Sequence, residues 1–199
     1  MKIATLGPQG TCSSEVVSSY LADLGLSQAD LELCKSYEEA VNLVLAGTAD
    51  QVVVPAAYKN FHEIVFRNTA QLRVHEILYS QTPVFVLAAK RGLVPTQSDT
   101  RLYRLACHHA PAPLMDRLKF RADRVDAASN AYAAWMVSDG HADLCITQLK
   151  AVETLNREAP PERQLEVIET YDPVDMVWAV FKRGAPTLKR SFWRGHFEE

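Results

Sequence analysis

Two short stretches of this 199-residue chain carry residue types and spacing that could do chemistry. The first, Gly7-Pro8-Gln9-Gly10-Thr11-Cys12-Ser13-Ser14, follows the apolar alternation Lys2-Ile3-Ala4-Thr5-Leu6 and opens a helix. Small residues at a strand-to-helix turn let the backbone approach a ligand closely. Ser13 fits equally well as an ordinary helix N-cap with no ligand. The second is the pair His108-His109. It invites a metal reading, but neighbours on a strand point to opposite faces, and no Asp, Glu or His at helical spacing completes a ligand set, so no metal is expected. Cys12, Cys34, Cys107 and Cys145 stand far apart with no CxxC pair, which indicates neither a zinc site nor a disulfide framework. Cys34 and Cys145 lie in apolar runs and read as core.

The elements that must position these residues come in two similar series. Hydrophobic period predicts a strand at about 2–6, a helix at about 13–24, a strand at about 31–35, a helix at about 37–46 and a buried strand at about 51–54 that ends at Pro55. The order recurs as a strand at about 102–107, a helix at about 112–119, a strand at about 122–127, a helix at about 129–139 and a strand at about 143–147. Both series share a punctuation: Gly47-Thr48-Ala49-Asp50 runs into Val52-Val53-Val54, and Gly140-His141-Ala142-Asp143 runs into Leu144-Cys145-Ile146. A Gly there suits the left-handed residue that closes a helix before the chain drops into a buried parallel strand. Between the series, Ile77–Lys90 reads as mostly extended, and Leu165–Thr170 and Met176–Lys182 alternate apolar residues on the way back. Two crossings imply a hinged pair of lobes, with lobe 1 over residues 1–82, lobe 2 over 83–170, and a return strand to lobe 1 plus C-terminal tail over 171–199. Such a pair holds its ligand in the cleft, where helix N-termini present unpaired N–H groups, so the expected ligand is a small anion. Asn156–Gln164, with Pro160-Pro161 in a polar run, reads as a surface loop, and the tail after Gly184 is basic and aromatic without periodicity.

Composition narrows the classes further. A 48% hydrophobic content at this length allows a full core. Lys and Arg total 21 against 24 Asp and Glu, a formal net charge of -3 with no basic run, which gives nucleic-acid binding no support. Apolar stretches such as Val52–Val54 and Val84–Ala89 are strand-length, so no membrane helix is expected. No charged n-region precedes a long apolar segment, so no signal peptide is visible and the cytoplasm is the default location.

The first stretch also carries a resemblance. Ile3-Ala4-Thr5-Leu6-Gly7-Pro8-Gln9-Gly10-Thr11-Cys12-Ser13 is similar to the opening of prephenate dehydratases, a strand followed by Gly-Pro-x-Gly-Thr-x-Ser. Gly47-x-Ala-Asp50 with Val53-Val54-Pro55, then Cys107-His108-His109-Ala110, then Ser129-Asn130-Ala131 opening a helix that ends in Gly140, follow in that family's order and spacing. The resemblance implies a two-lobed α/β fold of the periplasmic-binding-protein-like type, the dehydratase catalytic-domain fold, with the active-site cleft between the lobes. Two departures stand out. Dehydratases carry Pro-Ile-Glu-Asn where this chain has Pro55-Ala56-Ala57-Tyr58, and a Thr-Arg-Phe motif where it has Met176-Val177-Trp178. The Thr of that motif is the acid that the family resemblance assigns to expelling the ring hydroxyl, and Met176 has no proton to give. With Arg67 and Thr82-Pro83, these replacements resemble the non-aromatising prephenate decarboxylases of bacilysin-type antibiotic pathways.

By that resemblance the enzyme is a cofactor-independent carboxy-lyase. It releases CO2 from prephenate, keeps the hydroxyl, and forms a dihydro-4-hydroxyphenylpyruvate as a proton reaches a ring alkene carbon. A homo-oligomer, dimer or larger, is implied as well. Prephenate is a dianion, so the substrate site needs cationic or N–H donors: Lys59, Arg67 and the helix starts Thr11-Cys12-Ser13 and Ser129-Asn130-Ala131. Arg67 fits a surface charge equally well, and Asn130, where dehydratases usually have Thr, fits a plain cap pair with Ser129. Tyr58 ranks first as catalytic proton donor although a phenol of pKa about 10 is a weak acid. His109, expected at a strand's C-terminal end, ranks second. Met176 and Trp178 are expected to line an apolar wall beside the ring, the alternative being simple core. The competing readings are a divergent dehydratase forming phenylpyruvate and a non-catalytic small-anion binding module.

Overall fold

A computed structural model describes residues 1–184; the C-terminal tail beyond Gly184 lies outside the described residues. The chain forms two compact units. The first holds Met1–Ser80 and the segment that begins at Asp175, and the second holds Gln81–Val174.

The first unit contains β1 (Ile3–Leu6), α1 (Cys12–Asp23), β2 (Leu31–Cys34), α2 (Tyr37–Ala46), β3 (Gln51–Pro55), α3 (Phe61–Arg67), β4 (Leu72–Gln81) and, after the chain has passed through the second unit, β10 (Asp175–Arg183). The second contains β5 (Phe85–Lys90), β6 (Tyr103–Cys107), β7 (Ala122–Asp126), α4 (Asn130–Ser138), β8 (Leu144–Gln148), α5 (Leu149–Glu158) and β9 (Leu165–Tyr171). The sheet orders are β2-β1-β3-β10-β4 and β7-β6-β8-β5-β9. In each sheet three strands run parallel and the fourth is antiparallel to the third, β10 against β3 and β5 against β8. In the first sheet that strand, β10, arrives only after the chain has passed through the second unit, whereas β5 directly precedes the parallel strands of its own contiguous unit.

The periodicity explains the helices. Tyr37, Ala40, Val41 and Val44 of α2 recur at the spacing of one helix face and are all buried. They pack with Val52 and Val54 of β3, while Val53 points to the other face, onto Val17 and Leu21 of α1. A strand covered on both faces needs an unbroken apolar run, and each Val removed from water contributes about 1.5 kcal/mol or more. In the second unit α4 brings Ala133, Ala134, Met136 and Val137 against Ala106 and Cys145. Cys34 and Cys145 are buried, as their apolar surroundings imply.

The repeated Gly-x-Ala-Asp punctuation turns out to be one device used twice. Gly47 takes φ 77° and Gly140 φ 86°, the left-handed region that a side chain strains to enter. The turns close alike: Leu43 O accepts from the N–H groups of Thr48 and Ala49, and Met136 O from those of His141 and Ala142. Each Asp then clamps the start of the neighbouring strand. Lys2 N donates to Asp50 Oδ2 at 2.7 Å and Arg104 N to Asp143 Oδ2 at 2.8 Å, while the Asp N–H groups donate back to Lys2 O and Arg104 O, both at 2.8 Å. The N-caps match too, with Ser36 Oγ accepting from Glu39 N and Ser129 Oγ from Tyr132 N.

Four local expectations are corrected. The helix expected at 112–119 is a 3-10 turn over Ala112–Arg117, because Pro111 and Pro113 lack the N–H groups an α-helical first turn would continue from. The loop expected over 156–164 begins later, since α5 runs through Glu158 before Pro160 stops it; only Val152 of α5 is buried, so its apolar stripe is too thin to stand out. The seven-residue α3, where no element is expected, likewise has a single buried residue, Ile64, too few to mark a helical period. His108 and His109 do not point to opposite faces: β6 ends at Cys107, and in the turn beyond it their rings lie 4.1 Å apart.

The two Asp clamps differ in surroundings, which fixes a testable order. The Asp143 side chain is 15% exposed and also pairs with Arg101 at 2.6 Å, whereas Asp50 is exposed. Asp143→Ala is expected to lower unfolding stability by about 2 kcal/mol, in the range for hydrogen bonds to a charged group, and Asp50→Ala by less than half of that. Urea unfolding followed by circular dichroism measures both.

Candidate active site

Parallel pairing sends the C-terminal ends of β1, β2 and β3 to one edge of the first unit's sheet, where the backbone turns into α1, α2 and the 56–60 loop. Because β10 is antiparallel to β3, its first residues enter at that same edge. Ala56 N donates to Val177 O at 2.8 Å, and Trp178 stands opposite Pro55. Open α/β sheets bind ligands at such an edge.

Thr11 serves as the N-cap of α1. Its Oγ1 accepts from Ser14 N at 3.3 Å and its hydroxyl donates to Pro8 O at 3.0 Å. Cys12 is half-buried in the first turn, and Ser13 is buried with its Oγ 2.6 Å from Tyr37 Oη. Burial chiefly, with Cys12 and Tyr58 adding to it and the Ser13 hydrogen bond opposing, pushes the Tyr37 phenol up to about 12. Its ring lies 4.7 Å from that of Tyr58, tilted by 58°.

Tyr58 closes the cluster. Its hydroxyl donates to Glu38 Oε1 at 2.8 Å and accepts from Asn60 Nδ2 at 3.4 Å. Burial raises the phenol above its ordinary value, and the hydrogen bond and charge of Glu38 raise it further. Burial alone would also raise Glu38, but its own backbone N–H, Tyr58, Asn60 and Ser36 outweigh that and hold the carboxyl below the usual range. The two shifts agree in sense: the proton between these groups belongs to Tyr58 and is turned toward Glu38.

The other expected residues of this unit are placed differently. Lys59 is exposed next to Tyr58. Arg67 is 77% exposed and paired at 2.8 Å with Glu63, one turn earlier on α3, as a surface charge would be. Met176 is half-buried at the entering end of β10. Trp178 is buried among Ile3, Val17, Leu21, Val53 and Val180, its Nε1 donating to Ser80 Oγ at 2.8 Å. Met176 and Trp178 therefore occupy the α1 face of the sheet, while Tyr58 packs with the cluster on the α2 face.

The second unit presents the equivalent edge. His108 is half-buried and His109 exposed just past β6. Burial first, then His109 and Arg124, keep the His108 imidazole below its ordinary value. Ser129 caps α4, and Asn130 O accepts from Thr147 Oγ1 at 2.6 Å. Asn130 Oδ1 is buried with no hydrogen-bond partner among the described residues, and Ala131 is exposed. Among the described residues no three His, Cys, Asp or Glu gather closely enough to hold a metal ion, and no helix is long and apolar enough to cross a membrane.

Glu38 and Asn60 were not singled out by sequence. Ser36 and Glu39 stand at capping-box spacing, and Glu39 serves the helix start by accepting from Lys35 N at 2.7 Å, which leaves Glu38 to reach across to the 56–60 loop. That reach is a tertiary contact twenty residues along the chain, which the local sequence does not show.

Two open α/β sheets, each with an antiparallel strand beside its three parallel ones and the first completed by the returning strand β10, define the class: a two-lobed, periplasmic-binding-protein-like α/β fold. A solved prephenate dehydratase from Arthrobacter aurescens in complex with L-Phe shares it, with TM-score 0.57 and 21% identity over 96% of this chain and 63% of that one. So does the VFT2 domain of BvgS from Bordetella pertussis, with TM-score 0.54 and 18% identity over 92% of this chain and 80% of that one. No family model matches the chain. By sequence, the prephenate decarboxylase of Bacillus subtilis is 26% identical over 186 residues, 92% of this chain and 86% of that protein. The prephenate decarboxylase of Planktothrix agardhii is 26% identical over 191 residues, 91% of this chain and 87% of that protein. The chain thus resembles prephenate decarboxylases along nearly its whole length and shares its fold with a prephenate dehydratase, as its motifs imply.

The Tyr58–Glu38 bond is directly measurable. In a spectrophotometric titration, Tyr58→Phe is expected to remove one phenol that ionises above the ordinary tyrosine value of about 10. Glu38→Gln is expected to move that step down, though not to the ordinary value, because burial remains.

Proposed function

We propose that this chain catalyses the non-aromatising decarboxylation of prephenate to a dihydro-4-hydroxyphenylpyruvate, within antibiotic or other secondary-metabolite biosynthesis. Its similarity to proteins named prephenate decarboxylase supports the substrate and the loss of CO2. The observation that carries retention of the hydroxyl is Met176. It stands at the entering end of β10, where the dehydratase pattern has its acid, and a thioether has no proton to donate. Hydroxide is a poor leaving group, so without an acid the ring hydroxyl stays.

The chemistry needs charge handling more than reagents. When the ring carboxylate leaves as CO2, its electron pair forms a new ring double bond, and the displaced alkene pair takes one proton at carbon. The diene itself receives the electrons, so no external acceptor is required. Drawing the departing carboxylate out of water promotes its loss, while the second carboxylate is held by N–H donors such as those at the α1 and α4 starts, helped by Lys59. Arg67 would first have to leave Glu63 to take part. Of the two proton donors expected from sequence, Tyr58 has its proton committed to Glu38 and its phenol made a weaker acid. His109, exposed past β6, is therefore the donor we assign. The same reading extends to a cytoplasmic homo-oligomer, a dimer or larger, which fractionation and light scattering check.

Prephenate mixed with the purified protein and followed by absorbance and NMR, with spontaneous acid-driven aromatisation subtracted, tests the reaction. The expected product keeps the ring hydroxyl and lacks the ring carboxylate. Enzymatic phenylpyruvate would instead make the protein a dehydratase, and tight binding without CO2 a binding module. His109→Ala is expected to lower kcat by about a hundredfold with a smaller change in KM, in line with loss of a general acid.

A further inference from the structure

We propose that Glu38 is a positioning residue that determines product specificity: by accepting the hydrogen bond of the Tyr58 hydroxyl, it turns the phenol oxygen into an acceptor for the substrate's ring hydroxyl. This rests on the decarboxylase reading above and deepens it. A phenol has one proton and two lone-pair directions. The proton points to Glu38, a carboxylate that can only accept while ionised, and Asn60 occupies one lone pair at 3.4 Å. What remains for a ligand at this edge is an acceptor. Ala56 and Ala57, between the end of β3 and Tyr58, add no polar side chain, so the carboxylate here comes from α2. Tyr37, hydrogen-bonded to Ser13, packs at a tilt against Tyr58 and limits the ring's movement.

The consequence concerns the destination of one proton. Decarboxylation breaks the same carbon–carbon bond on either route, and either route consumes a single proton. If the proton goes to a ring alkene carbon, the released pair becomes a ring double bond and the hydroxyl stays. If it goes to the hydroxyl oxygen, the carbon–oxygen bond breaks, the pair completes the aromatic ring, and water leaves with CO2. A hydroxyl that donates to Tyr58 Oη keeps its own proton engaged and meets no acid on that side. The Glu38–Tyr58 pair thus disfavours protonation at oxygen without touching the carbon that is protonated. Met176 removes the dehydrating acid, and Glu38 prevents Tyr58 from becoming a substitute for it.

The test is the product ratio, because damage to the fold lowers both products together. With wild-type protein and prephenate above neutral pH, phenylpyruvate beyond the spontaneous background should be near zero. In Glu38→Gln the amide no longer fixes the phenolic proton, and the ratio of enzymatic phenylpyruvate to the hydroxyl-retaining product is expected to rise about tenfold or more, as total turnover falls. Tyr58→Phe, which leaves neither acceptor nor proton, should raise the ratio less than Glu38→Gln does. A ratio unchanged in a folded Glu38→Gln protein overturns the proposal. If that variant does not fold, a Tyr58→Phe ratio above that of Glu38→Asp, which keeps the acid, supports it, and equal ratios overturn it. Wild-type protein that makes only phenylpyruvate, or none of either product, defeats the decarboxylase reading itself and is visible before any variant is made.

Discussion

One polar contact, made once in each unit, holds the rest in register: an Asp carboxylate just ahead of a buried strand accepts the backbone N–H at the start of the strand beside it. The alignment Ile3 with Gln51 in the first sheet and Leu105 with Leu144 in the second begins directly beyond these clamps. Side chains alternate along a strand, so a slip of one residue would turn Val53 toward the face that Val52 and Val54 fill. Hydrophobic burial supplies most of the stabilisation, but it is non-directional. The clamp is what chooses among registers that would bury nearly as much.

Register at one end of a sheet decides geometry at the other. Because β1, β2 and β3 start together and run parallel, they end together, and their loops deliver Ser13, Tyr37, Glu38 and Tyr58 to one edge. The antiparallel β10 adds Met176 there while burying Trp178 a step further in. The same strand therefore contributes a residue to the edge and an anchor to the core. Two residues of a three-residue motif fall to different tasks purely by their distance from the strand's end.

Much of this was legible in the chain. The Gly-x-Ala-Asp repeat announced two equivalent halves, since a left-handed Gly followed by a buried strand leaves its mark at fixed spacing. The thin apolar stripes of α3 and α5 did not, each burying one residue, and Pro113 made a helical-looking segment into a 3-10 turn. At the candidate site the loss was of another kind. Residue types said that Tyr58 has a proton; they could not say where it points, because the partner, Glu38, is twenty residues away on another element. Trp178 was ambiguous for the related reason that an aromatic on an alternating strand looks the same whether its neighbours are substrate or core.

The direction of that one hydrogen bond changes the chemistry that can be assigned. Read alone, a tyrosine in place of an amide side chain looks like a new acid, and a new acid near a ring hydroxyl would favour its expulsion. With Glu38 as its acceptor, the same tyrosine presents an oxygen instead of a proton, and burial together with the neighbouring negative charge makes ionisation harder still. Both departures from the dehydratase pattern then act in one sense. On the proposed reading Met176 takes an acid away, and the Tyr58–Glu38 pair would meet the hydroxyl with an accepting oxygen. A site of this kind need not bind its substrate differently from a dehydratase; it needs only to offer no proton at oxygen while one remains available at carbon.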